Sequence, residues 1–205
     1  MTETSKLNQV VFFDLGGVLG DFGGISTLHQ ISSLKDDAEL WRRWLSSPSV
    51  RDFESGRTTL DRFVVDIADE WNFTISPNEF KEQFLTWVNG PMEGAYELLA
   101  SAKERVQIGC MSNTKEPHWT HTISHWDFVK LFDYPVLSFQ VGMLKPDPEI
   151  FRYLSSLSER QPKEIIFLDD NQINVDAANS CGIRAFRVDG VEGCRSVLKE
   201  LEIVP

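Results

Sequence analysis

Three short apolar runs decide most of what this chain can fold into: VVFF (10–13), VQIGCM (106–111) and IIFL (165–168). Each is too short for a buried helix and rich in β-branched or aromatic residues, as expected of a strand covered on both faces. IRAFRV (183–188) reads as a fourth strand, and YPVLSF (134–139) as a weaker fifth with Pro135 near its start. Helical patterns lie between them. DPEIFRYLSSL (147–157) offers Asp147 as N-cap and Pro148 at the first helical position, then Ile150, Phe151 and Leu154 for burial. NVDAANSCGI (174–183) sets Val175, Ala178 and Cys181 on one face and stops at Gly182. Strands alternating with helices predict an α/β fold on a doubly wound parallel sheet.

Residues 25–92 break this rhythm. TTLDRFVVDIADEW carries Leu60, Phe63, Val64, Ile67 and Trp71 at helical spacing, and SPNEFKEQFLTWV opens with a capping box at Ser76 and Glu79. No strand interrupts the stretch, which reads as about four helices inserted after the first strand and covering the strand ends. The expected organisation is an α/β core of residues 1–22 and 93–205 with a helical cap of residues 23–92. Trp41, Trp44, Trp71 and Trp87 fit the apolar faces of cap helices, and Trp119 and Trp126 fit the core.

The balance of 20 Lys+Arg against 31 Asp+Glu leaves a formal charge of −11. Such an acidic chain lacks the basic surface that holds a nucleic-acid backbone, although a locally positive pocket can still take a small anion. Cys110, Cys181 and Cys194 show no CxxC spacing and fit a reducing, cytoplasmic setting. No run reaches the ~20 apolar residues of a membrane span, and the polar start MTETSKLNQ has no signal core. A monomer or weak dimer, without nucleic-acid or membrane partners, is expected.

Each strong strand ends in polar groups: Asp14 after VVFF, Ser112 closing the second run, and Asp169-Asp170 after IIFL. In a parallel sheet these ends share one edge, where α/β proteins bind ligands. Lys145, in GMLKPDPEIF, falls in a loop before a helix. Adjacent carboxylates at a buried strand end repel unless a cation is present. Three carboxylates and one ammonium therefore point to a divalent metal and an anionic substrate.

FFDLGGVL, CMSNT, GMLKPDPEIF and IIFLDDNQINVDAANSCGI, in that order, resemble the four motifs of the haloacid dehalogenase-like superfamily, from about Val10 to Val188. In style they are most similar to its small bacterial sugar-phosphate phosphatases. The resemblance implies a Rossmann-like core, an inserted helical cap and a phosphatase acting on a small phosphorylated metabolite. It implies Asp14 as a nucleophile forming an aspartyl-phosphate. Mg²⁺ would be held by Asp14, the Gly16 carbonyl and Asp170, with Asp169 acting through water. Ser112 and the Asn113 main-chain N–H would bind the phosphoryl group, while Lys145 neutralises it and holds Asp14 ionised.

One departure lies at Gly16. Most phosphatases of the superfamily carry there a second Asp that serves as general acid and base, a contribution typically worth ~10²–10⁴-fold. Without it, substrates with good leaving groups are favoured, unless a cap residue such as Glu54 supplies the proton. A 2-haloacid dehalogenase or an inactive phosphate-binding module are the alternatives. His118, His121 and His125 sit three and four apart; a solvent-facing helix is the simpler expectation than a metal site.

Overall fold

The computed structural model describes residues 8–205; the stretch MTETSKL, and with it most of the polar N-terminal start, lies outside them. Among the described residues seven strands occur: β1 (Val10–Phe13), β2 (Gly20–Phe22), β3 (Val88–Pro91), β4 (Gln107–Ser112), β5 (Tyr134–Leu137), β6 (Ile165–Asp169) and β7 (Arg184–Arg187). Five of them form an all-parallel sheet in the order β5-β4-β1-β6-β7. The helices are α1 (Gly24–Ile31), α2 (Asp37–Ser46), α3 (Pro48–Glu54), α4 (Leu60–Trp71), α5 (Pro77–Leu85), α6 (Ala95–Lys103), α7 (Glu116–His121), α8 (Ser138–Val141), α9 (Pro148–Ser158), α10 (Gln172–Ser180) and α11 (Gly190–Glu200). None in the described residues is long and apolar enough to cross a membrane.

Successive side chains of a strand face opposite ways, so an unbroken apolar strand needs cover on both sides. β1 shows this directly. Val11 and Phe13 pack with Leu98, Leu99, Cys194 and Leu198 of α6 and α11. Val10 and Phe12 pack with Ile150, Phe151, Val175 and Ala178 of α9 and α10. The doubly wound sheet expected from the apolar runs is therefore present.

Helices α1–α5 bury a separate cluster that includes Leu40, Trp44, Phe53, Phe63, Ile67, Trp71, Phe80 and Phe84. Phe53 and Phe63 stack at 4.3 Å with their planes 10° apart. The insertion holds five helices rather than about four. Ser47 ends α2, and its side chain accepts from Val50 N to start α3, so one residue hides a helix boundary. The capping box at Ser76 and Glu79 is formed. Trp41 differs from its three neighbours in the cap and is exposed.

β2 and β3 pair antiparallel, Gly20 opposite Pro91, where the chain leaves and rejoins the parallel sheet. The expectation of no strand there fails, because Val88-Asn89-Gly90-Pro91 has no apolar alternation to mark it.

Candidate active site

Asp14 follows β1, flanked by β4 on one side and β6 on the other, and its amide donates to Leu168 O at 2.8 Å. Ser112 ends β4 and Asp169 ends β6, so residues about a hundred positions apart reach the same edge. Asp14, Asp169 and Asp170 each bring an oxygen within 4.8 Å of the others. Into this group Lys145 sends its ammonium, 2.9 Å from Asp14 Oδ2 and 2.7 Å from Asp169 Oδ2. The lysine is 2% exposed and Asp169 is fully buried, so these charges interact with little water between them.

Burial pushes the Asp14 carboxyl up to about 7; Lys145 opposes this, while Asp169 and Asp170 reinforce it. Burial and then Asp169 likewise push Asp170 up to about 6. Burial alone would lower Lys145, but its two carboxylate partners outweigh it and raise its pKa further. Lys145 thus favours the ionised form of Asp14, as expected, against the opposing pull of burial and of the two other carboxylates. One ammonium does not balance three buried carboxylates, and a divalent cation would.

The donor set fits such a cation. Asp169 is already engaged: Oδ1 accepts from Asn171 N at 2.8 Å and from Asn174 Nδ2 at 3.0 Å, and Oδ2 takes Lys145. No side chain among the described residues donates to the Asp170 carboxylate. The Gly16 carbonyl accepts no backbone hydrogen bond in its turn. Asp170 and the Gly16 carbonyl thus offer unengaged oxygens to a hard cation, and Asp14, whose Oδ1 accepts from Leu15 N and whose Oδ2 faces Lys145, keeps lone pairs for it; such a cation takes these ligands with water and substrate oxygens.

Gly17 shapes this cradle, a role that sequence reading missed because its cause lies 153 positions away. Its φ is +69°, and an added Cβ would sit 2.2 Å from Asp170 Oδ2. Gly17→Ala is expected to lower stability by about 1–2 kcal/mol from the left-handed backbone alone. It should also weaken divalent-cation binding; thermal unfolding with and without the cation checks both. At Gly16 the added Cβ finds only Phe22, at 3.6 Å, so nothing in the backbone forbids a side chain there.

Three side chains hold the site loops, and one of them, Ser138, was not singled out from sequence. The Asn113 amide forms a two-point clamp on Lys145, donating to its carbonyl and accepting from its N–H, both at 2.9 Å. Its side chain therefore serves the loop, whatever its main chain does for a ligand. Ser138 Oγ grips Thr114 the same way, accepting from its N–H and donating to its carbonyl at 3.0 Å. Asn174 donates from Nδ2 to both oxygens of Asp169.

Other expectations are corrected. Asp147 occupies the N-cap of α9 without capping it; its carboxylate instead pairs with Arg51 of α3 at 2.5 Å. Glu54, offered from sequence as a substitute proton donor, is tied through Oε1 to Trp44 Nε1 at 3.1 Å and to Lys115 at 2.8 Å. His118 is buried, not solvent-facing: Nε2 bonds Phe84 O at 2.8 Å, and the ring stacks on Phe84. Burial, then Lys115, drives its pKa down to about 4. Among the described residues the aspartate trio is the only group gathered tightly enough to bind a metal.

A model of the haloacid dehalogenase-like hydrolase family matches residues 54–188. Acyl-CoA dehydrogenase family member 10 of Mus musculus is 44% identical over 206 aligned positions, 95% of this chain but 19% of that protein. The chain spans only 13% to 19% of the length of the mouse relatives it matches. D-ribitol-5-phosphate phosphatase of Bacteroides thetaiotaomicron is 24% identical, with 86% of this chain and 90% of that one aligned. Among solved structures, a HAD-family enzyme of the same bacterium, in complex with magnesium and inorganic phosphate, superposes with a TM-score of 0.68. It is 23% identical, with 88% of this chain and 94% of the other covered. The four-motif order, the doubly wound sheet and the matched family agree: this chain belongs to the haloacid dehalogenase-like hydrolases.

Proposed function

We propose that the protein hydrolyses a phosphomonoester with Asp14 as nucleophile and Mg²⁺ as cofactor. The observation that carries this reading is the Lys145 bridge between Asp14 and Asp169 beside the unengaged Asp170. The names of relatives support it: a ribitol-phosphate phosphatase, and a phosphorylated-carbohydrates phosphatase of Thermotoga maritima. When bound, Mg²⁺ offsets the repulsion between the Asp14 carboxylate and a phosphate dianion. Asp14, Asp170 and the Gly16 carbonyl would hold it, with Asp169 behind them.

An oxygen of Asp14 attacks phosphorus, the ester oxygen departs, and an aspartyl-phosphate forms. Water then cleaves that acyl phosphate, releasing inorganic phosphate and restoring Asp14. Ser112 and the Asn113 N–H donate to the phosphoryl oxygens, and Lys145 balances their charge. Glycine at 16 removes the acid that most relatives place beside the leaving oxygen, and Glu54 is tied to Trp44 and Lys115. Sugar 1-phosphates, enol, aryl and acyl phosphates are therefore favoured over alkyl esters. Residues 23–92, with their own apolar cluster, are read as a cap domain over a core of 1–22 and 93–205. The buried thiols Cys110 and Cys194 fit a cytoplasmic setting.

The test is phosphate release from a sugar 1-phosphate, a sugar 6-phosphate, an aryl and an acyl phosphate. Each runs with Mg²⁺ and with a chelator, beside halide release from a 2-haloacid. Turnover should need Mg²⁺ and be fastest for the better leaving groups. Metal-independent halide release would instead place the chain with the dehalogenases.

A further inference from the structure

α3 is the one cap helix whose side chains grip both loops that carry the reacting groups. Arg51 and Glu54, three positions apart, lie on one face of it. Arg51 pairs with Asp147, two residues beyond Lys145, and Glu54 pairs with Lys115, three residues beyond Ser112. The two loops are themselves joined by the Asn113 clamp on Lys145. Just beyond α3, Gly56 lies so close to α8 that an added Cβ would stand 2.4 Å from Phe139 O. That contact follows Ser138, which grips Thr114.

We propose that Glu54 is a positioning residue: through Lys115 it sets the Ser112–Lys115 loop, so that docking of α3 and assembly of the phosphoryl site are one event. The proposal rests on the phosphatase reading for its kinetic test only. Its physical ground is the character of the pair. Glu54 is 3% exposed, and its carboxylate also accepts from Trp44, whose ring lies 5.5 Å from the Lys115 ammonium. A buried ion pair is a poor source of net stability compared with apolar packing, but it fixes the relative place of its two partners. Here the partners belong to a cap helix and to the loop that closes β4. The Arg51–Asp147 pair is half-exposed and screened, and acts as the weaker second tie.

The experiment compares wild type, Glu54→Gln, Lys115→Met and the double variant, with Mg²⁺, on an aryl phosphate and a primary alkyl phosphate. Displacing a donor loop by a fraction of an ångström to 1 Å should cost about 10- to 100-fold. The loss should fall in kcat, by the same factor on both esters, and the double variant should be no worse than either single one. A loss confined to the alkyl ester would overturn the proposal and make Glu54 the proton donor. A lower melting temperature with unchanged kcat would overturn it too, leaving Glu54 merely structural.

Amide hydrogen exchange at residues 112–115 is a readout that does not need turnover. It should quicken in Glu54→Gln, and unchanged exchange would overturn the proposal even if no ester were hydrolysed. Silence of the wild type on every ester would sink the phosphatase reading alone. Glutamine keeps the Trp44 hydrogen bond, which favours a folded variant. Should it fail to fold, Arg51→Met reads the second tie, with an expected loss of about two- to fivefold; no loss there would count against the proposal.

Discussion

Lys145→Met is expected to destabilise the protein by about 3–5 kcal/mol, the usual cost of leaving a buried charge without its partner. Methionine keeps the length of the side chain but not the ammonium, which lies 2.9 Å from Asp14 and 2.7 Å from Asp169. Three carboxylates within 4.8 Å would then face one another with no ammonium among them. For a chain of this size the melting temperature should fall by about 6–20 °C. Turnover should drop at least ~10²–10³-fold, as when one preorganised donor to a developing anion is removed. A divalent cation should return part of the lost stability, because it replaces the missing positive charge. Thermal unfolding with and without Mg²⁺ checks this, and an unchanged melting temperature would show that the lysine is not the group balancing the cluster.

Asp14→Asn should do the reverse to stability. Turnover should fall by at least about 10⁴-fold, the order seen when a nucleophile is deleted from a working constellation. The fold should keep its stability or gain some in the absence of the cation. Burial already pushes the Asp14 carboxyl up to about 7, so its ionised form is held at a cost that the neutral amide avoids. Asparagine can still accept from Leu15 N, which lies 2.7 Å from Oδ1, and Lys145 retains Asp169. The measurement is the melting temperature in chelator beside phosphate release. A marked loss of stability in Asp14→Asn would mean that the Lys145–Asp14 pair contributes more than its desolvation costs. Two residues in one contact would thus answer oppositely, as expected where a site is strained for its task.

The core and the reacting groups were legible because both are written locally. VVFF, VQIGCM and IIFL name buried strands by their apolar runs, and Asp14, Ser112, Asn113, Asp169 and Asp170 sit at the end of one of them or just beyond it. What was missed depends on partners distant in sequence. Asn113 acts on Lys145, 32 positions away, and Ser138 on Thr114, 24 away. Asp147 looked like an ordinary helix cap until Arg51, 96 positions earlier, took its carboxylate. Gly17 drew no reading of its own because nothing local announces that Asp170 fills the space beside it. His118 read as a surface residue because a six-residue helix gives too little periodicity to show which side is buried.

The small β2–β3 ribbon has a consequence for how such a chain can change over evolutionary time. Because Gly20 lies opposite Pro91, the path out of the parallel sheet and the path back run side by side, one strand spacing apart. The closure that the rest of the polypeptide must achieve is therefore nearly independent of what is strung between those two strands. Helices there can be lengthened, shortened or exchanged for others while Asp14, Ser112, Lys145 and Asp169 keep their places. The ribbon acts as a graft junction, through which new substrate preferences could be acquired without redesigning the chemistry.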